Sequence, residues 1–324
     1  MSSSDTSRRA FLGVSAAAAG ALSASPASAA AKTWEGIFVI MQTPFLDTLE
    51  VDEESLRREA DFLARGRIHG MVWPAGAGET KSLSHSERIR FSEAVVKEAR
   101  GRSTVLIGVH GANKFEAMEY TRHAEKIGAD GLHALGPSDD AADPEILTDY
   151  FMSIASVSKL PLSIQVSNAG MSSEFLLKLA EKVPTFKIAK LEGSRVTHDV
   201  TKFVKQAKDR LIPSTGGGAM NLYQEMARGS GGTMAGAGFA DIQTEIWDLY
   251  HAGKLKEARE LFAKYLMTAV LERQTGYVIQ KEVLRRRGIF RTVVMRNTRK
   301  FSMDAADVRE LDELMEMLRP HFRV

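Results

Sequence analysis

The sequence predicts an α/β protein, a (β/α)8 TIM barrel with a C-terminal helical extension. Three observations carry that expectation. Eight short apolar runs alternate with amphipathic segments over residues 37–236, the pattern of parallel strands joined by crossover helices. Eight such units close naturally into a barrel. No Gly-x-Gly-x-x-Gly follows the first run, which counts against the runner-up, an open doubly wound sheet.

The strands are expected at 37–41, 69–74, 104–109, 131–135, 162–166, 186–190, 211–215 and 231–236. The helices between them are expected at 53–66, 85–100, 114–127, 144–158, 173–182, 197–209 and 219–228. In the second of these, Ile89, Phe91, Val95 and Val96 mix with Glu87, Arg90, Glu93 and Lys97 at helical spacing. The barrel is expected over 30–240. Residues 241–324 read as helices punctuated by Gly253 and Gly288, the extension that covers the barrel's side and builds oligomer contacts.

Composition narrows the function. The chain has 324 residues, 44% of them hydrophobic, and a net charge of +2 from 43 basic and 41 acidic side chains. The run Arg285–Arg287 is short and lies in a helical pattern, so it reads as a solvated face and not as a nucleic-acid patch. There is no cysteine, which excludes thiolate catalysis, cysteine-bound metals and disulfides. The histidines show no H-x-x-H or H-E-x-x-H spacing. Asp139 and Asp140 are only an adjacent loop pair, so no metal site is expected. No G-x-S-x-G elbow supports a hydrolase triad.

The first residues are different material. Arg8-Arg9, then Phe11-Leu12, an Ala-rich run and Ala27-Ser28-Ala29 come in the order of a twin-arginine signal, expected at 1–29 with cleavage before Ala30. The run is too short and too rich in Ala and Gly for a membrane span. The expected location is therefore periplasmic or secreted, without a stable membrane anchor.

In such a barrel the active site lies at the C-terminal ends of the strands. The polar residues there are Thr43, the 75–80 loop, His110 and Asn113, Ser138 to Asp140, Gln165, Ser167 and Asn168, Lys190 and Glu192, 215–218 and 235–238. In "FKIAKLEGS" (186–194), alternation places Phe186, Ile188 and Lys190 on one face and Lys187 on the other, between strand and helix layers. Burial disfavours the charged form of an amine, and a neutral amine attacks a ketone carbonyl to form a Schiff base. The alternative is a rim lysine that pairs with Glu192. The Gly-rich stretches 214–218 and 229–238 either bind an anionic group through N–H donors or are tight turns.

Beyond those residues the chain resembles the dihydrodipicolinate synthase / N-acetylneuraminate lyase family. The stretches that carry the likeness are "TPF" (43–45) with Val51-Asp52, Gly78-Glu79, "GVHGAN" (108–113), "HAEKIGADGL" (123–132), "LPLSI" (160–164) and "KLEGS" (190–194). The resemblance implies a Schiff base between Lys190 and a 2-oxo acid, no cofactor beyond that covalent lysine, and a homo-oligomer, dimer or tetramer. Three departures stand out. Gly76 and Ala77 replace two threonines, Gln165 replaces a tyrosine, and Pro137-Ser138-Asp139 replaces a tyrosine given by a neighbouring subunit. An arginine is also missing near Gly170. The threonine–tyrosine proton relay of the family cannot operate, so dihydrodipicolinate synthesis itself is not expected.

"WPAGAGET", "SIQVSNAG", "FKIAKLE", "GGTMAGAGFAD" and "LERQTGYVIQKEVLRRRGI" are similar to the 2-keto-3-deoxy-L-arabonate dehydratase branch. This implies dehydration or retro-aldol cleavage of a 2-keto-3-deoxy sugar acid. Catalytic roles are expected for Lys190, Gln165 and Glu79, with the proton carried by Glu79 or by a water held by Gln165, Ser167 or Asn168. Substrate contacts are expected from Thr43, Gly76, Ala77, Ser167, Asn168, Glu192, Gly217 and Met234, with the carboxylate on N–H groups near Gly76-Ala77 or near Gly217 and Met234. The alternative is a catalytically altered member that binds or senses a 2-oxo acid.

Overall fold

The structure, a computed structural model, describes residues 34–137, 143–166, 170–193, 195–296 and 302–324. The expected signal segment lies outside the described residues. Eight strands, β1 (Gly36–Ile40), β2 (Gly70–Trp73), β3 (Thr104–Gly108), β4 (Gly131–Ala134), β5 (Leu162–Gln165), β6 (Phe186–Lys190), β7 (Ile212–Ser214) and β8 (Gly232–Thr233), pair in parallel in the order β7-β6-β5-β4-β3-β2-β1-β8. A bridge between Thr215 and Thr233 joins the two ends. Thr215 N donates to Gly232 O at 3.2 Å and Met234 N to Thr215 O at 2.8 Å, so the barrel closes.

The crossover helices are α1 (Glu53–Arg65), α2 (His85–Ala99), α3 (Lys114–Ile127), α4 (Pro144–Ser156), α5 (Ser173–Lys182), α6 (Val196–Ala207) and α7 (Leu222–Met226). Their starts follow local chemistry. Asp52 caps α1, Ser84 with Glu87 forms a capping box on α2, and Asn113 caps α3. After β8 come α8 (Ala240–His251), α9 (Leu255–Thr275), α10 (Val278–Arg286) and α11 (Ala305–Leu318). Gly253, at φ +76°, separates α8 from α9. α8 packs on β1 and supplies the eighth barrel helix. α9, α10 and α11 follow it.

The core has two compartments. Phe38, Ile40, Val72, Leu106, Ile188 and Met234 fill the barrel, and Trp34 packs against them. A larger cluster fills the space between strands and helices. β6 departs from simple alternation. Leu162 pairs with Phe186, but Ser163 pairs with Ile188, so Lys187 is an extra residue in the ladder. The bulge puts Phe186 in the outer cluster and Ile188 in the inner one. Lys187 is not between strand and helix layers, as alternation predicted; its Nζ lies 5.8 Å from the centre of the Trp34 ring.

The chain beyond α9 ties back onto the barrel. Lys281 Nζ donates to Glu79 Oε1 at 2.5 Å and to Val294 O at 2.7 Å, and both side chains of that ion pair are 1% exposed. Arg287 forms a bidentate pair with Asp241, at 3.0 and 2.6 Å. Arg296 grips Glu87 at 2.7 Å and holds its carboxyl at a pKa of about 2.

Removing one member of a buried ion pair strands the other charge. We expect Lys281→Met to lower the unfolding free energy by about 3–5 kcal/mol in urea denaturation. Glu79→Gln added to Lys281→Met should recover most of that loss; an uncorrected double variant would count against stranded charge as the cause.

Candidate active site

Lys190 closes β6 and is 5% exposed. Its Nζ donates to Gln165 Oε1 at 3.1 Å and lies 3.2 Å from Glu192 Oε1. Gln165 is its register partner on β5, so the two side chains rise from one layer of the barrel. Below them lies His133 of β4, with Nε2 3.3 Å from Gln165 Oε1 and Nδ1 3.2 Å from Ser163 Oγ. Gln165 Oε1 can only accept, so Nε2 carries the ring proton and Nδ1 accepts from Ser163. The lysine's surroundings, expected to be apolar, are polar, because a buried ammonium without partners is costly.

Burial first, then the positive charge of Lys190, keeps the His133 pKa well below the usual value. His110, just past β3, is pushed down to about 3 by burial and by Arg88 and Lys81. Its Nδ1 is buried and meets no partner. Both rings are thus held neutral on the β3–β4 side of the barrel.

Glu192 leans over the loop after β7, where a β-carbon at Gly216 would collide with its Oε1. At Gly218, with φ +67°, a β-carbon would lie 3.2 Å from Glu272 Oε2. Glu272 comes from α9. Gln280 of α10 donates from Nε2 to Glu272 Oε2 at 2.8 Å and accepts the Gly238 N–H at 2.7 Å. Tyr265 Oη donates to Gly218 O at 2.6 Å. Glu272 is half-buried as a residue, but protein encloses its carboxyl end, and burial pushes its pKa up to about 7. Glu225 on α7 is also raised to about 7, chiefly by burial and further by the charge of Glu192. It accepts the Thr215 hydroxyl at 2.6 Å. By alternation from Ile212 and Met234 it sits on the helix side of the sheet.

The other expected residues are distributed as follows. Thr43 is fully buried, donating to Gly78 O at 2.5 Å and accepting from Trp73 Nε1 at 3.1 Å. Its hydroxyl pins the loop after β2 and has no free donor for substrate. Gly76 and Ala77 open a one-turn 310 helix, so their N–H groups have no partner within it. Glu79 is committed to Lys281 instead of to Lys190. Met234 lines the barrel interior and spends its N–H on Thr215 O at 2.8 Å, so it offers no donor to a carboxylate. Gly217, at φ +58°, lies at the mouth between Gly216 and Gly218. Ser167, Asn168 and the 138–140 loop lie outside the described residues. Sequence reasoning missed His133, Glu272 and Gln280. Alternation in "GLHAL" points His133 inward, whereas Glu272 and Gln280 carry no local signal of a barrel mouth.

Comparison with known proteins narrows this arrangement. Residues 33–311 match the model of the dihydrodipicolinate synthetase family. The chain belongs to that family.

Members are lyases that act on small 2-oxo acids through a lysine Schiff base without a metal cofactor, and this protein is one of its carbon–oxygen or carbon–carbon lyases. Among the relatives, the 4-hydroxy-tetrahydrodipicolinate synthase of Methanopyrus kandleri is 30% identical over 72% of this chain and 79% of its own. The L-2-keto-3-deoxyarabonate dehydratase of Azospirillum brasilense is 23% identical over 78% of this chain and 85% of its own. Among solved structures, YagE from Escherichia coli K12, a prophage protein of the same family solved with pyruvate, superposes with a TM-score of 0.81 at 18% identity, covering 88% of this chain and 99% of that one. Among the described residues, no group of three or more His, Asp or Glu could hold a metal ion, and no helix is long and apolar enough to cross a membrane.

The depressed histidine fixes the sign of one pH effect. Below its ordinary pKa of 6.5, His110 binds a proton when unfolded but not when folded, so stability is full above that pH and falls as pH falls. Relative to His110→Asn, wild type should lose about 1.4 kcal/mol per pH unit between pH 6 and 4 in urea titrations. Parallel stability curves would refute a buried neutral ring.

Proposed function

We propose that the protein dehydrates or cleaves a 2-keto-3-deoxy sugar acid through a Schiff base on Lys190. The observation that carries this reading is a buried strand-end amine with one amide and one carboxylate in reach, Gln165 Oε1 at 3.1 Å and Glu192 Oε1 at 3.2 Å. Glu192 is placed to take a proton from Nζ, which frees the amine to attack the C2 carbonyl. Glu192 returns that proton to the hydroxyl of the carbinolamine, so water leaves C2, an iminium forms and the carboxylate is free again. That iminium draws electrons from C3, so a C3 proton can depart to Glu192, and Gln165 holds Nζ in line. This answers the loss of the family's threonine–tyrosine relay with a carboxylate two residues beyond the lysine. The N–H groups of Gly76, Ala77 and Gly217 are candidates for the substrate carboxylate. The likeness to the Azospirillum dehydratase supports the sugar-acid class, and YagE, solved with pyruvate, supports a 2-oxo acid.

Incubation with pyruvate or a 2-keto-3-deoxy pentonate, followed by borohydride, should add the reduced adduct to the intact mass. Lys190→Ala should abolish both adduct and turnover. Glu192→Gln should keep the fold and lower kcat by about 10²–10⁴. An adduct that persists in Lys190→Ala would place the chemistry on another lysine.

We also propose export by the twin-arginine route, supported by the order of Arg8-Arg9, the Ala-rich run and Ala27-Ser28-Ala29. Sequencing the N-terminus of protein from the native host should begin near Ala30, and an intact Met1 would exclude cleavage.

A further inference from the structure

Dehydration needs a second proton transfer, to the hydroxyl that leaves. Once the iminium has lost its C3 proton, the enamine expels the C4 hydroxyl. The C3–C4 double bond forms, the iminium is restored, and the C4–O bond breaks with its electron pair on oxygen. Hydroxide is a poor leaving group, so an acid must deliver a proton as that bond breaks. The donor has to stand on the side of the mouth away from Lys190, about two bond lengths along the substrate from C2.

Among the described residues, candidates around the mouth are few. His133 and His110 are held neutral. Glu79 is paired with Lys281. Glu225 faces the helix layer and is bonded to Thr215. On the loop side, Glu192 and Glu272 flank the run Gly216-Gly217-Gly218, the first against Gly216 and the second against Gly218. The absence of β-carbons along this run leaves room between the two carboxylates; at Gly217 a β-carbon would meet no atom within 4 Å. Gln280 holds the Glu272 carboxyl from the far side at 2.8 Å, and is itself fixed by the Gly238 N–H at 2.7 Å.

We propose that Glu272 is the catalytic acid that protonates the departing C4 hydroxyl of a 2-keto-3-deoxy acid, with Gln280 as the residue that positions it. This rests on the Schiff-base reading of Lys190. The reaction balances without a further reactant: Glu272 gives one proton, water leaves, Glu192 releases the C3 proton to solvent, and Glu272 takes one proton back from solvent. An acid of this kind should be protonated near neutral pH, and burial raises Glu272 to about 7. The groups that face it are Gln280 from α10, Gly218 from the loop after β7, and Tyr265 from its own helix. Tyr265 is the titratable one among them, and burial with the Glu272 charge holds its hydroxyl protonated. The assignment favours dehydration over retro-aldol cleavage, which expels no hydroxide.

Glu272→Gln tests this directly, because glutamine keeps the shape and a partner for Gln280 but carries no acidic proton. Three readouts are taken on the full chain: the borohydride adduct with pyruvate, exchange of the pyruvate methyl protons in D2O by NMR, and dehydration of a 2-keto-3-deoxy pentonate from pH 5 to 9. Adduct and exchange need Lys190 and a C3 base but no leaving hydroxyl. We expect both to match wild type in Glu272→Gln, while kcat for dehydration falls about 10²–10⁴-fold. The wild-type fall in kcat above pH 7 should be absent from the residual activity. Unchanged dehydration overturns the assignment. So does a parallel loss of exchange and dehydration, which marks a structural role. Glu272→Asp, which keeps the acid but draws it back, should retain the alkaline limb at lower kcat; a flat profile there also overturns it. Failure of wild type itself to form any adduct would instead remove the Schiff-base reading.

Discussion

A primary amine carried into a barrel interior must be met by polar atoms, and that requirement orders the upper half of this molecule. Below Lys190 the barrel is filled by Phe38, Ile40, Val72, Leu106, Ile188 and Met234. At its level the lining changes to Gln165 and Glu192, with His133 and Ser163 one layer down. The amide and the carboxylate offset the desolvation of Nζ, and the histidine under the amide stays neutral because the amine's positive charge and its own burial both oppose a second cation. The boundary between apolar and polar layers is thus the floor of the site.

The second organising feature is the return of the C-terminal chain to the mouth. α9 and α10 do not merely cover a flank. Tyr265, Glu272 and Gln280 reach the loops after β7 and β8, while Lys281 and Arg296 tie the same segment to the loops after β2. Glu79 shows the consequence. It sits in the left-handed region at φ +59°, a conformation that non-glycine residues rarely adopt, and its ion pair with Lys281 holds it there. A residue that looked like a free carboxylate at a strand end is instead part of the clamp that shapes the loop.

Much of this was legible in the sequence because strand and helix periods are local. The eight strands, the helices between them and the strand-end place of Lys190 follow from spacing and likeness. What was not legible has a common cause. The bulge at Lys187 depends on how β5 and β6 settle against each other, and a single inserted residue reverses which side chains face inward. The committed N–H of Met234 follows from barrel closure and the committed hydroxyl of Thr43 from the packing of the segments after β1 and β2, and no window of sequence contains either.

The sequence alone determined the barrel, the strand-end lysine and the short-range pair Lys190–Glu192, since two residues along one chain cannot lie far apart. Only the tertiary structure decided which carboxylates meet the mouth. Glu79 and Lys281 are 202 positions apart, and Gly238 and Gln280 are 42 apart. Such contacts arise when helices from the end of the chain find the barrel's open rim. Burial there separates an ion-paired Glu79 from a Glu272 whose pKa rises to about 7.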